Sequence, residues 1–482
     1  MIRSMLNKAA IVTLVAFLVV GCDDGVDGDP GPVGAQGPAG EAGPAGPAGP
    51  AGTSGADGSD GVAVSVSRDD VVRTNANIAF AVYGDSLQAA VQMRAVLADF
   101  VANPTEANFA AAKESWLAAR EPYGQTEVYR FRVGPIDALL DDGSIGEEGD
   151  GPEGAINAWP LGEALIDYVA NSVDGDAGPE IASSTASIAG SIIEDTTTFP
   201  TITADTVRDN AELGGDERNV SSGYHAVEFL LWGQDLNEDL SGGGTRDASA
   251  GQRPVTDFAT DASCTSGTNG AAVEVCQRRG QFLLAATDVL IEDLDSVVDA
   301  WNPNGTANHY SNFVSGGDTS LAIILESMGR LGFGELAGER MNIALLTNSQ
   351  EDEHSCFSDN THRDIFLNAK GIVNMFEGEY TRIDGDVVSG AGIDELLASE
   401  GFADVANDLR AALEDTMIKV GVIDQEAKTG VPFDNQIQIG INEPNVSGAI
   451  QALSSQTNLI ESAITALNLT TGDLRQDTEE DI

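Results

Sequence analysis

The sequence predicts an all-α protein, a head of two helical bundles behind an N-terminal stalk that is collagen-like or disordered. Three observations carry this expectation. Beyond about residue 65, apolar residues recur three and four positions apart over long stretches, the spacing of helices with one buried face. Alternating strand patterns bounded by turn residues are scarce. Between Gly25 and Gly61 a glycine falls at every third position among many prolines, the pattern of wound polyproline chains whose axis admits only glycine.

Residues 1–21 read as an export signal of the lipoprotein type. Arg3 and Lys8 charge the first segment, Ala9 to Val20 is apolar but too short to span a membrane, and Leu18-Val19-Val20-Gly21-Cys22 reads as a lipobox. Cys22 is then the lipidated first residue of the mature chain, and residues 22–64 form its stalk. An uncleaved anchor with an incidental cysteine is the other reading. Asp23-Asp24 resembles an inner-membrane retention signal, but that rule varies between bacterial groups, so the choice between periplasmic and cell-surface membrane stays open. At about 3 Å per residue the stalk reaches on the order of 100 Å. It either trimerises the protein or acts as a semi-rigid spacer.

The head follows. Leu87, Val91, Met93, Val96, Leu97, Phe100 and Val101 mark a helix over Asp85 to Val101, ended by Asn103-Pro104, with Thr105 placed to cap the next one. Further helices are expected over 155–173, 223–232, 271–301, 319–347, 361–376, 393–423 and 446–467. The Gly-, Ser-, Thr- and Asp-rich stretch 241–270 reads as a connector between a first bundle, 65–240, and a second, 271–482. His309 reads as an exposed loop residue.

Lys and Arg number 24 against 77 Asp and Glu, a net charge of −53 that grows by two units once Arg3 and Lys8 are removed. Such a chain repels nucleic acid and anionic lipid. It attracts cations, although strong acidity also serves solubility in salty surroundings. With Cys22 given to lipid, Cys264, Cys276 and Cys356 remain in an oxidising compartment. Cys264 and Cys276 flank a flexible loop and are expected to pair, which leaves Cys356 odd. The absence of C-x-x-C-H excludes covalent haem.

The chemistry centres on Gly223-Tyr224-His225-Ala226-Val227-Glu228. Three-residue spacing on a helix puts His225 and Glu228 on one face, and imidazole with carboxylate suits zinc, iron or manganese. A core histidine hydrogen-bonded to its i+3 glutamate is the competing reading. Trp116, Arg120, Tyr123 and Glu127 fall at i, i+4, i+7 and i+11, one stripe if Pro122 leaves the helix intact. Glu127 is the expected third metal ligand and Asp137 the fourth, with Arg120 as a structural partner to a carboxylate. A second cluster gathers Glu353, His354, Asp359 and His362, read either as a further site or as the cap of the helix beginning at Thr361.

Four segments, in order, resemble the imelysin family: Trp116-Leu-Ala-Ala-Arg120-Glu-Pro122-Tyr123-Gly-Gln-Thr-Glu127, Asn157-Ala-Trp159-Pro160-Leu161, the G-x-H-x-x-E signature at Gly223, His225 and Glu228, and Glu351-Asp-Glu353-His354-Ser-Cys356-Phe-Ser-Asp359-Asn360-Thr361-His362. The last is similar to the iron-regulated branch. The resemblance implies two related helical bundles with a site between them, at which the H-x-x-E helix meets acidic residues of the first half. Three function classes follow: a surface-anchored protein binding iron, another divalent transition metal (zinc included) or an iron-containing ligand; an imelysin-type metallopeptidase; or a structural, adhesive lipoprotein. The chain lacks H-E-x-x-H, whose glutamate serves as base in one class of zinc peptidase.

Overall fold

Ser67 opens the first helix of the head. Its hydroxyl accepts from the Asp70 backbone N–H while the Asp70 carboxylate accepts from the Ser67 N–H, a reciprocal cap. The helix runs Arg68–Ala102, starting well before Asp85, because Val71, Val72, Ile78 and Val82 extend its buried face. Thr105 caps the next helix, Glu106–Tyr123, accepting from Asn108 N at 3.3 Å. The computed structural model describes residues 66–131, 134–140, 146, 149, 151–159, 161–169, 190–214, 218–237 and 245–475. The signal, Cys22 and the stalk lie outside the described residues.

Pro122 sits in the last turn of its helix, which ends at Tyr123. Trp116, Arg120 and Tyr123 therefore share a helix, but Glu127 does not: it opens a separate short turn, Glu127–Tyr129. The helix expected over 155–173 is replaced, among the described residues, by the short turns Glu153–Ile156 and Glu163–Leu165. Gly162 disfavours helix between them. Gly223–Trp232 forms over the expected residues, and all ten are buried. Gly223 has φ +83°, and a Cβ there would lie 2.5 Å from the Ile156 carbonyl oxygen. Only glycine lets the 153–156 turn pack against the start of this helix.

The second half contains helices Val273–Ala300, Asp318–Arg330, Thr361–Glu377 and Pro444–Ala466. The helix expected over 393–423 is two, Ile393–Ser399 and Ala403–Lys428, separated where Gly401 takes φ +94°. Asp318–Arg330 continues as a π-wound stretch, Leu331–Ile343, before one last α-turn, Ala344–Thr347. In that stretch hydrogen bonds run from i to i+5, a winding that is rare and concentrated at functional sites. His309 is not a loop residue: it opens the helix His309–Val314, with its ring 4.6 Å from that of Trp301. Burial holds its imidazole down to about 4.

Residues 63–482 form a single compact unit. Its larger apolar core runs from Val71 to Leu474 and takes residues from both sides of the 241–270 connector. A smaller core joins Leu336, Met341, Ile365, Ile423, Phe433 and Leu453. Cys264 and Cys276 form a disulfide, closing a ring that contains the short antiparallel ribbon Thr265–Ser266 with Asn269–Gly270. No helix among the described residues is long and apolar enough to cross a membrane.

Candidate functional site

The helix Gly223–Trp232 is anchored by Trp116, whose indole N–H donates to the Tyr224 carbonyl at 2.9 Å. This turns His225 and Glu228 toward the segment 353–364. His225 Nδ1 lies 2.8 Å from Glu228 Oε2, while Glu228 Oε1 accepts from Ser358 N at 3.0 Å and Ser358 Oγ at 2.6 Å. Each of the two carboxylate oxygens thus has a protein partner. Burial pushes the Glu228 carboxyl up to about 8 against the pull of Ser358. Burial and the charge of Arg120 hold His225 well below its ordinary range, so its imidazole is neutral, with one donor and one acceptor nitrogen.

The His354 ring meets that of His225 edge to face, centroids 4.7 Å apart. His354 Nδ1 lies 2.8 Å from Asp364 Oδ2, which also accepts from Ser355 Oγ. Arg120 donates to Asp364 Oδ1 at 3.0 and 3.2 Å and to Asn157 Oδ1 at 2.5 Å. Arginine only donates, so the Asn157 oxygen must face it and the Asn157 amide N–H groups must face the other way. There Nδ2 lies 3.3 Å from His354 Nε2 and 3.4 Å from Glu127 Oε1. The network is self-consistent when His354 donates through Nδ1 and accepts at Nε2. Burial opposes ionisation of Asp364, but Arg120 and His354 together hold it far below the usual carboxylate range.

Beyond Asn157 the site becomes an arginine–carboxylate lattice. Glu127 Oε2 takes Arg340 Nη2 at 2.9 Å and Arg130 Nη1 at 3.4 Å; Asp137 lies 3.5 Å from Arg130 Nε; Arg340 Nη1 donates to Glu335 at 2.5 Å. Glu335 and Arg340, five apart, meet through the π winding. The structure brings His225, Glu228 and His354 together and sets Glu127 one amide away. Asp137 stands beyond Arg130, with charge partners of its own. Among the described residues no group of three or more His, Cys, Asp or Glu side chains is arranged to hold a metal ion.

The second cluster divides. His362 points away, its Nδ1 bonded to the Asp359 carbonyl at 2.8 Å and its Nε2 3.8 Å from Asp424. Asn360 stands at the N-cap position of Thr361–Glu377 without a side-chain cap bond. Glu353 turns inward and is 1 % exposed, and neither of its carboxylate oxygens has a hydrogen-bond partner. Burial and the neighbouring charges of Asp434, Asp359 and Asp235 push it far above its ordinary range, with Arg246 acting against them. Glu353 and His354 share a small cavity with His225, Cys356, Phe357 and Trp159. His225 Nε2, 2 % exposed, has no partner there.

Sequence reasoning missed Asp364, Ser358, Asn157 as the amide between His354 and Glu127, and Arg340 as the partner of Glu127. Asn157 and Ser358 stood inside quoted motifs without a role of their own, and Asp364 lies two residues past the last motif.

The head is similar to two solved bacterial structures. One, from Parabacteroides distasonis, is described under the name iron-regulated protein A precursor: 14 % identity over 84 % of this chain and 97 % of that one, TM-score 0.52. The other is an imelysin-like protein from Psychrobacter arcticum: 15 % identity over 86 % of this chain and 100 % of that one, TM-score 0.53. No curated protein shows significant sequence similarity. The family model described as Imelysin matches residues 79–464, most of the chain. The protein therefore belongs to the imelysin family.

Proposed function

We propose that the protein binds a transition-metal ion, iron foremost, in the cavity between His225 and Glu353, and that it does so outside the cytoplasm, tethered through Cys22. The carrying observation is His225 Nε2: a buried nitrogen without a partner, on a ring whose other nitrogen is held by a carboxylate. That is how metal-ligating histidines are oriented. Glu353 faces the same cavity with two unpartnered oxygens and a crowd of like charge that a cation would relieve. To one small ion the chain offers an imidazole nitrogen and a carboxylate, with Glu228 orienting the ring and Ser358 fixing Glu228. The bound ion would supply a positive charge to this dry pocket; the chain supplies the orientation and excludes water. The name of the Parabacteroides structure supports iron. The lipobox and stalk in the sequence supply the tether.

A metallopeptidase needs a coordination position that a peptide can reach. His225, Glu228 and Glu353 are at most 2 % exposed, so the reading here is binding. The test is metal content and affinity of the protein purified without added metal. His225→Ala is expected to lower affinity at least roughly tenfold with helicity unchanged. A variant that binds as tightly as the parent overturns the assignment and leaves a structural role.

A further inference from the structure

We propose that the end of the head opposite the point where the chain enters it docks on a lipid surface of no net charge, inserting Leu346, Val431, Ile439 and Ile441. The chain enters at Val66, and Arg68 ties that end together by donating to the Asp318 and Glu400 carboxylates and to the Leu467 carbonyl, each at 2.8–2.9 Å. Two long helices packed against each other lead away from it, Ala403–Lys428 starting just past Glu400 and Pro444–Ala466 ending just before Leu467. Their 26 and 23 residues reach about 39 and 35 Å. The loop 429–443 that joins them is thus at the other end. The turn Ala344–Thr347 lies against it, with the Asn348 side-chain amide donating to the Gln438 carbonyl at 3.2 Å.

Leu345, Phe433, Ile437 and Val446 form the buried floor of this end, in the smaller core. Four apolar neighbours do not join them: Leu346 is 49 %, Val431 43 %, Ile439 60 % and Ile441 65 % exposed. The charge there is as uneven. The chain carries 77 Asp and Glu, yet residues 341–349 and 428–445 include only Asp434 and Glu443, which are at most 6 % exposed. The exposed charge of these two segments is Lys428, whose Nζ is held by Asp424 at 2.7 Å. A carboxylate carried into hydrocarbon is costly, so a surface that enters lipid must lack one, and this surface does. The acidity of the rest of the head repels anionic lipid, which leaves zwitterionic lipid as the surface it can approach. Four aliphatic side chains fall well short of the roughly 20–30 residues a side of a stable protein interface, which argues against a second copy as the occupant. A bilayer needs only a few, because each one gains in proportion to the apolar area it buries.

The probe is a phosphatidylcholine vesicle. The chain from residue 22 onward, carrying Cys22→Ser so that no signal or lipid contributes, is sedimented with sucrose-loaded vesicles. It is compared with the same chain carrying Ile439→Ser and Ile441→Ser, and with one carrying Ile383→Ser and Val387→Ser, an exposed apolar pair elsewhere on the head. The parent is expected to sediment with the vesicles. The Ile439/Ile441 variant should partition at least roughly tenfold less, with an unchanged circular dichroism spectrum, and the Ile383/Val387 variant should match the parent. A parent that stays in the supernatant overturns the inference, as does an Ile439/Ile441 variant that binds like the parent. Equal weakening in both variants assigns the binding to exposed apolar surface in general and overturns it too. A parent that leaves the vesicles alone but forms a concentration-dependent dimer, lost in the Ile439/Ile441 variant, makes this end an interface between copies instead.

Discussion

Arg120 and Asp364, 244 residues apart in sequence, form an ion pair at 3.0 Å with both side chains at most 1 % exposed. The same guanidinium orients Asn157, and the same carboxylate orients His354. Removing one partner leaves a buried charge uncompensated, so Arg120→Ala should lower unfolding stability by about 3–5 kcal/mol. Replacing both by apolar residues of similar volume should lower it by clearly less than the sum of the single changes. Urea unfolding of the two single variants and the double variant measures this; additive losses would show that the two residues do not act as a pair.

Ser358→Ala leaves the proposed metal donors in place and removes one of the two bonds fixing Glu228 Oε1. Metal affinity should fall roughly tenfold, the scale for residues that orient a ligand from behind. The melting temperature of the metal-free protein should change little. Isothermal titration of variant and parent checks the first point, and an affinity equal to the parent's would show that Glu228 does not orient His225 for binding.

The Cys264–Cys276 bond closes a short ring beside the start of the Val273–Ala300 helix. Cys264→Ser should lower stability by about 2–4 kcal/mol, and mild reduction of the parent should reproduce the loss. Thermal unfolding in oxidising and reducing buffer compares the two. A variant as stable as the oxidised parent contradicts the expectation.

Stability should be greatest in mildly acidic solution. Burial pushes Glu163 up to about 7, so the folded chain holds a proton there that the unfolded chain releases. The resulting penalty is complete above about pH 7 and shrinks as the pH falls toward the ordinary carboxylate value. Glu335 behaves in the opposite way. Burial would raise it, but Arg130 and Arg340 hold it down to about 2, so it contributes stability above about pH 4.5 that is lost as the pH falls through 2. Asp364, depressed mainly by Arg120, adds to the acid-side loss. Buried His225 and His309, held neutral in the fold, cost stability once the pH falls below about 6.5, so the melting temperature should rise from pH 8 to about 6.5 and drop steeply below about 4; a profile that is highest at pH 8 contradicts this assignment.

Cys22→Ala should release the protein from the membrane fraction into the soluble one, as expected from the lipobox. Fractionation of cells expressing each form decides it, and unchanged membrane association rules out anchoring through Cys22.

Helical periodicity announced most of the head, since one-faced apolar spacing is a local property of the chain. It overran in three places: the helix carrying Pro122 ended at Tyr123, before Glu127; Gly401 divided one helix into two; and among the described residues only short turns follow Glu153 up to Leu165. The candidate site was less legible. Spacing put His225 and Glu228 on one face. Whether they converge on a third atom or on each other depends on Ser358, which reaches Glu228 from 130 residues away. Likewise Glu127 looked like a spare carboxylate until Arg340, 213 residues on, took it. Nothing in the local sequence of either residue reports its partner.

The π-wound stretch Leu331–Ile343 makes part of this architecture a matter of chain length rather than residue type. Deleting a single residue between Leu331 and Glu335 would let the helix return to ordinary α winding with every charged side chain still present. In α winding residues five apart point about 140° from each other, so Glu335 and Arg340 would part and the lattice around Glu127 would lose that link. A homologous chain one residue shorter here could keep every motif quoted above and yet lack this lattice, so motif matching alone would overcount proteins that share this site.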